Sequence, residues 1–176
     1  MNNTIKKLQL LFVIPIMLQS CAEPADKFFG VAILNTNTIT DFATPVLAKH
    51  ISDEAAEFPN IPSSKKKGEE SLKYVENQIL YMEKSLKDIQ ALSENGDNRK
   101  EIKAQAISLY EFVIPVYKNE YSAYAKLCDA KGSSVSKEEI INTISKKYST
   151  EFEKRYTLLL SSGKAFAKSN NLNVSF

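Results

Sequence analysis

Several residue types that often carry structure or chemistry are scarce in this 176-residue sequence. It has no tryptophan, five glycines, two cysteines and a single histidine. Lysine, glutamate, serine, alanine and leucine are abundant instead, and that composition favours helix. We therefore expect a helical protein without clusters of histidine or cysteine.

These scarcities exclude the common catalytic and metal-binding motifs. His50 has no second histidine to complete the paired Glu-x-x-His motifs of a bundle di-iron site, and position 47, three residues before it, is a leucine. The sequence also lacks the Cys-x-x-Cys-His motif of c-type haem and the Gly-x-Ser-x-Gly motif of many hydrolases. Its glycines are too isolated to form a phosphate-binding loop. We therefore predict no enzyme activity, no catalytic residues, no cofactor and no metal site.

The chain has no apolar run long enough for a transmembrane helix near its start. Residues 8–18 are uncharged and, apart from Gln9, apolar, whereas a membrane-spanning helix needs about 20 apolar residues. The run follows Lys6 and Lys7 and contains Pro15. A short positive start followed by an apolar run of this length is typical of a secretory signal peptide.

The apolar run ends in Leu18-Gln19-Ser20-Cys21, which resembles the bacterial lipobox. The resemblance implies that diacylglycerol is attached to the Cys21 sulfur, that signal peptidase II cleaves between Ser20 and Cys21, and that the new amine is acylated. Two or more acyl chains hold a protein stably on a membrane. The alternative is ordinary secretion with a chance cysteine, for which Leu18-Gln19-Ser20 is a poor cleavage site.

The lipobox defines the expected domain organisation and location. Residues 1–20 are the expected signal peptide, residues 21–25 a short tether, and residues 26–176 one helical domain. By resemblance to the sorting signals of diderm bacteria, Ala22 after the cysteine favours the outer membrane. Which face of that membrane displays the protein stays open.

Removal of the signal peptide would change the charge of the chain. Losing Lys6 and Lys7 leaves 21 basic against 21 acidic residues. A neutral mature chain argues against nucleic acid as a partner, since nucleic-acid-binding domains carry a basic excess.

Cys128 has no disulfide partner once Cys21 is acylated, and we interpret it as a small buried residue on an apolar helix face.

The first part of the mature chain predicts a helix that is not regular. Residues 26–53 carry apolar side chains at three- and four-residue spacing. Pro45 and the polar run Asn35-Thr36-Asn37-Thr38 oppose helix, so we expect a kink near Pro45. Residues 58–68 contain two prolines and three consecutive lysines, and they are predicted as a loop.

Two long helices are predicted after this loop. From Glu69, apolar residues recur at alternating three- and four-residue steps until a stop at Asn95-Gly96. A second helix begins at Asp97-Asn98. It contains Pro115, but the apolar pattern keeps its phase, and we therefore expect a kink there and not an end.

The last helix completes the predicted fold. Ser136 and Glu139 form a capping box at its start, and Asn170-Asn171 ends it. Residues 172–176 alternate apolar and polar and are expected to pack on the domain. Four helical segments with short loops predict an all-α protein, an antiparallel up-down four-helix bundle with kinks near Pro45 and Pro115.

Tyrosines around Pro115 are the most distinctive feature of the mature chain. The candidates for a binding surface are Tyr110, Tyr117, Tyr121 and Tyr124. They either form the wide end of the core with hydroxyls at its rim, or line a groove that binds a protein, peptide or glycan, since tyrosine is enriched at interfaces.

A second resemblance concerns the last hundred residues. Leu109-Tyr110-Glu111-Phe112, Lys118-Asn119-Glu120-Tyr121, Phe152 and residues 163–172 resemble a family of small helical surface lipoproteins of diderm bacteria. The family has no assigned activity, so the resemblance implies fold and location but no chemistry. The leading hypothesis is a membrane-anchored, non-enzymatic envelope lipoprotein that acts as an interaction or structural module. The alternative is a carrier of a small ligand or peptide with a Tyr-rich groove near Pro115, and the third is an enzyme of unrecognised type.

Overall fold

The computed structural model describes residues 22–174, in which all regular secondary structure is helical and no strand occurs. The all-α prediction is confirmed for this range. None of the helices described is long and apolar enough to cross a membrane. The α-helices are α1 (Ala25–Ala32), α2 (Pro45–Glu54), α3 (Glu70–Gln90), α4 (Arg99–Val116), α5 (Ser122–Asp129) and α6 (Ser134–Ser169). Short 3₁₀ segments cover Leu34–Ile39 and Pro62–Ser64, and a π-helical segment, Tyr117–Tyr121, joins α4 to α5.

The predicted single helix over residues 26–53 is wrong, and so is its kink at Pro45. Polar side chains compete for the backbone after α1: the Thr36 hydroxyl donates to the Ile33 carbonyl at 2.6 Å. Ala43 has a φ of 59°, which ends helical geometry before α2. Pro45 is the first residue of α2. An N–H at this position would have no acceptor within the helix, so the missing N–H of proline costs no hydrogen bond.

Two carboxylates accept backbone N–H groups at the start of α3 that have no acceptor within the helix. Asp129, at the end of α5, accepts the N–H groups of Ser71 and Leu72, both at 3.0 Å. Glu70 folds back to accept the N–H groups of Lys67 and Gly68 at 2.8 and 3.0 Å. Negative charge at a helix N-terminus is favourable, so these contacts fix α3 and also join its start to the end of α5.

The helix continues through Pro115, as the sequence predicted, but with a local change of geometry. Pro115 is exposed and lies inside α4. Beyond it, the Ser122 N–H reaches back to the Tyr117 carbonyl, five residues earlier, and the Ser122 hydroxyl donates to the same oxygen at 3.0 Å. A π-helical turn of this kind adds one residue to the turn, which rotates the tyrosines that follow relative to α4.

Helix α6 contacts the π-helical segment and α4 in reverse order along the chain. Tyr148 donates to Glu120 at 2.7 Å, and further along α6 the Arg155 guanidinium lies within hydrogen-bonding distance of the Ser108 carbonyl, at 3.3 Å. The N-cap of α6 lies three residues before the predicted one, because Ser133 and not Ser136 caps the helix. The Ser133 hydroxyl oxygen accepts the Ser136 N–H at 3.1 Å.

The end of α6 matches the prediction. The helix stops at Ser169, with Asn170 as its C-cap. Asn171 has a φ of 54°, a left-handed conformation that asparagine tolerates and that ends a helix. Gly163 allows α6 to pack closely on the N-terminal segment, since a Cβ there would lie 3.1 Å from Ile33 Cδ1.

Candidate functional site

The predicted lipidation site, Cys21, and the cleavage position after Ser20 lie outside the described residues, as does the predicted signal peptide. The described chain begins at Ala22 and is already packed against the domain at Glu23. Helix α1 follows directly, at Ala25. Most of the segment predicted as a tether is therefore part of the folded domain.

Arg99, the first residue of α4, holds Glu23 in place. Its Nη1 donates to Glu23 Oε1 at 2.9 Å, and its Nη2 donates to the Glu23 carbonyl at 2.9 Å. The Ser93 N–H donates to the same carboxylate at 3.2 Å. The two side chains are 9% and 14% exposed. We call this ion pair, Glu23 with Arg99, the N-terminal clamp.

Aromatic rings complete the surroundings of the clamp. The guanidinium carbon of Arg99 lies 4.7 Å from the ring centroid of Phe28 and 5.8 Å from that of Phe166. A guanidinium over an aromatic face is stabilised by the ring quadrupole, more so when water is excluded. The clamp therefore joins the N-terminus, α1, the start of α4 and the end of α6.

The candidate tyrosines lie in the core and not on a groove. Tyr110 and Tyr121 have no exposed surface, and Tyr117 and Tyr124 are 1% and 5% exposed. The predicted binding surface at these four residues is therefore not accessible in this structure. The other interpretation of the cluster, the wide end of the core, agrees with their burial.

The tyrosine hydroxyls pair with backbone groups of the irregular N-terminal segment. The Tyr110 hydroxyl donates to the Asn35 carbonyl at 3.0 Å. The Tyr121 hydroxyl accepts the Ala43 N–H at 2.9 Å. Buried backbone N–H and C=O groups outside regular helices need such hydrogen-bond partners. The tyrosine hydroxyls supply them and so stabilise the irregular segment after α1.

Phe42 lies at the centre of this aromatic cluster, and sequence analysis gave it no special role. It is 1% exposed, and its ring centroid lies 4.9 Å from that of Phe152, 6.1 Å from that of Tyr121 and 6.2 Å from that of Tyr117. The only sequence signal was the helical spacing of apolar residues in its segment. That spacing predicts that Phe42 is buried, but not that it lies at the centre of an aromatic cluster.

Comparisons with known proteins do not assign the chain to a family. No protein-family model matches it, and no curated protein or solved structure is significantly similar to it. The function of the chain is therefore inferred from its own residues and contacts.

Burial suppresses the acid–base chemistry of the core side chains. Loss of solvation raises the pKa of Tyr110 and of Tyr124 to about 12 each. Burial also holds the pKa values of Tyr117 and Tyr121 well above the usual tyrosine value, and it raises the pKa of the Cys128 thiol. These groups stay protonated near neutral pH, which suits packing and not catalysis.

Cys128 and His50 occupy ordinary structural positions. Cys128 is 2% exposed on α5, in agreement with its interpretation as a small buried residue. His50 is exposed on α2. Within residues 22–174, no group of three or more His, Cys, Asp or Glu side chains is arranged to hold a metal ion.

The loop between α2 and α3 presents apolar side chains to solvent. Phe58 and Ile61 are 59% and 50% exposed. The loop is nevertheless held by its own contacts: Ser64 accepts the Phe58 N–H at 2.8 Å and donates to the Ile61 carbonyl at 2.6 Å. Glu57 accepts the Lys66 N–H at 3.0 Å and pairs with Lys131 at 2.8 Å. We call residues 57–68 the distal loop.

A shallow groove between α4 and α6 is the remaining apolar concavity of interest. Ala104 and Leu158 line it, beside Gln105 and Arg155. The Gln105 Oε1 atom is buried there without a hydrogen-bond partner among the described residues. The Arg155 guanidinium is already engaged, since its Nε donates to Glu151 at 2.7 Å. The groove therefore offers apolar contact beside one carboxylate, that of Glu101, which accepts a hydrogen bond from Gln105 Nε2 at 3.0 Å.

Proposed function

We propose that the chain is a lipid-anchored, non-enzymatic envelope lipoprotein whose helical domain is an interaction or structural module at the outer membrane. One observation carries the proposal: the run Leu18-Gln19-Ser20-Cys21 resembles a lipobox, and the folded domain starts two residues later, at Glu23. Acyl chains on Cys21 would supply the attachment. The membrane is then the first partner, with an envelope protein, peptide or glycan as the second and no nucleic acid.

We also propose that the domain is an antiparallel four-helix bundle. Its segments would be the interrupted N-terminal region with α1 and α2, then α3, the α4–α5 helix, and α6. Two sets of contacts support it: α6 meets the π-helical segment and then α4 in reverse order along the chain, and the start of α3 meets the end of α5 at Asp129. Short connections between helices favour antiparallel neighbours.

The closed core favours a module over a carrier. A carrier that uses the tyrosines near Pro115 needs a cavity among them, whereas three of their hydroxyls bind backbone groups of the N-terminal segment and all four rings are buried. The groove between α4 and α6 is the better place for a small apolar ligand, but it is open and shallow. These observations favour a module that recognises its partner through exposed side chains.

Intact mass of the protein produced in a diderm bacterium tests the anchor. We expect a chain that begins at Cys21 and carries diacylglycerol and an N-acyl group, recovered with the membranes. Cys21→Ser made without residues 1–20 is the matched control, since it has neither the acylated cysteine nor the apolar signal segment, and it should lose both the added mass and the membrane association. An unacylated product, or one that keeps residues 1–20, would overturn the proposal.

Native mass spectrometry separates the module from the carrier. After gentle extraction of the mature chain, the module predicts the mass of the polypeptide and its acyl groups alone. A reproducible additional small molecule would favour the carrier. Loss of that molecule in Leu158→Asp, with retention in Leu80→Asp on the exposed face of α3, would place it in the groove between α4 and α6.

A further inference from the structure

We propose that one end of the domain rests on the bilayer and that the distal loop is held at the opposite end, away from that membrane. The membrane-facing end, which we call the anchor pole, comprises Glu23, residues 91–100 and residues 168–173. The inference rests on the proposed lipidation of Cys21. It adds the surface through which the domain meets the lipid headgroups.

The short reach of the chain before Glu23 determines which end faces the membrane. Two Cα-to-Cα steps lead from Cys21 to Glu23. An extended chain spans at most about 3.6 Å per step, or about 7 Å in total. Glu23 is fixed by Arg99 and by the Ser93 N–H. A lipid on Cys21 therefore brings the bilayer to the surface that surrounds the N-terminal clamp.

The side chains of the anchor pole suit the headgroup layer of a bilayer. Their common feature is polarity without a charge excess. Exposed acidic residues Glu94 and Asp97 are balanced by Lys100 and Lys168. The exposed amides are Asn95, Asn98, Asn170, Asn171 and Asn173. Amides both donate and accept hydrogen bonds, so they can bind phosphate and amine headgroups without a need for anionic lipid.

The distal loop lies at the other end of α3. This helix has 21 residues, and at 1.5 Å per residue it spans about 31 Å. Its last turn leads to Ser93 beside the clamp, whereas its first turn follows the distal loop and binds Asp129. The base of the distal loop, where Glu57 pairs with Lys131, therefore lies near the first turn of α3, about one helix length from the anchor pole.

Quenching by labelled lipid tests the orientation. The lipidated mature protein, which begins at Cys21, is reconstituted into phosphatidylethanolamine–phosphatidylglycerol vesicles. A fraction of the lipid carries a quencher on its headgroup. A fluorophore is placed in turn at Asn95→Cys, Lys168→Cys and Asn60→Cys, all exposed positions. We expect quenching to be several-fold stronger at the two anchor-pole positions than at residue 60. Equal quenching, or stronger quenching at residue 60, would overturn the proposed orientation.

A longer tether is the control that leaves the domain and the clamp intact. Inserting about ten Gly and Ser residues between Ala22 and Glu23 gives a flexible linker with a root-mean-square length of about 17 Å. We expect flotation with vesicles to persist and the quenching difference to fall towards zero. If the difference survives, the short tether does not set the orientation, and the inference is wrong.

Flotation separates failure of the orientation from failure of the proposed function. If the parent protein does not float with the vesicles, or if Cys21→Ser made without residues 1–20 floats equally well, lipid anchoring is refuted and the orientation falls with it. If the parent protein floats only with an intact Cys21 but shows the wrong quenching pattern, the anchor stands and the orientation alone is refuted.

Discussion

Replacing Phe42 by alanine tests whether the aromatic cluster is a closed core. The ring is 1% exposed and lies among those of Phe152, Tyr121 and Tyr117. Its removal would leave a cavity between the N-terminal segment and the long helices. Truncation of a buried phenylalanine costs about 3–5 kcal/mol, a large share of the roughly 5–15 kcal/mol by which a domain is stable.

Thermal unfolding of the mature chain with Cys21→Ser, followed by circular dichroism, measures this loss. For a domain of this size, each kcal/mol changes Tm by about 2–4 °C, so we expect Phe42→Ala to lower Tm by about 6–20 °C. Phe58→Ala is the matched control, since Phe58 is 59% exposed, and its effect should stay within about 0.5 kcal/mol. A loss below about 1 kcal/mol for Phe42→Ala, or equal losses for both variants, would refute the closed core.

Three further substitutions test the clamp and the start of α3 in the same assay. Arg99→Met leaves the Glu23 carboxylate largely buried and unpaired, and it should cost about 3 kcal/mol, whereas an effect below about 1 kcal/mol would contradict a structural clamp. Asp129→Ala removes the acceptor of two N–H groups of α3 and should cost about 1–2 kcal/mol, in contrast to Asp88→Ala at an exposed pair. Backbone N–H groups lower the pKa of Glu70 from 4.5 to about 2; its contribution is therefore present above the unfolded pKa and is lost as pH falls from about 5 to about 2. Glu70→Gln should accordingly show a smaller fall of Tm over that interval than the parent protein, and an unchanged fall would contradict this role.

The long helices were predictable because their signals are local. The apolar spacing predicted a helix from Glu69, and α3 begins at Glu70. The pattern around Pro115 kept its phase, and the helix does continue there. The start of α6 was misplaced because Ser133 and Ser136 are both serines with a helix after them, and only the backbone conformation shows which one caps it.

The N-terminal segment was mispredicted because its structure depends on contacts that spacing does not encode. Apolar residues at helical intervals are indeed buried there, as Phe28, Phe42 and Ile51 show. The backbone between them is not helical, however, since Thr36 bonds its own backbone and Ala43 adopts a positive φ. Periodicity identified the buried face but not the conformation that buries it.

The role of the tyrosines could not be read from the sequence, because their partners lie far along the chain. Tyr110 bonds a carbonyl 75 residues away, and Tyr121 bonds an N–H 78 residues away. Helical spacing predicts that such residues share a face, but it gives neither the burial of that face nor the partner of each hydroxyl. The clamp was missed for the same reason, since Glu23 and Arg99 are 76 residues apart.

The free energy needed to open the aromatic core argues for recognition at the exterior. Opening it would break three hydroxyl–backbone hydrogen bonds, those of Tyr110, Tyr121 and Tyr124, at about 1 kcal/mol each. Exposing two aromatic rings would cost about 2 kcal/mol for each ring. The total, about 7 kcal/mol, is close to the entire binding free energy of a micromolar ligand, about 8 kcal/mol. A partner that contacts preformed, exposed side chains such as Phe58 and Ile61 requires none of this rearrangement, so exterior binding is favoured by nearly that full amount.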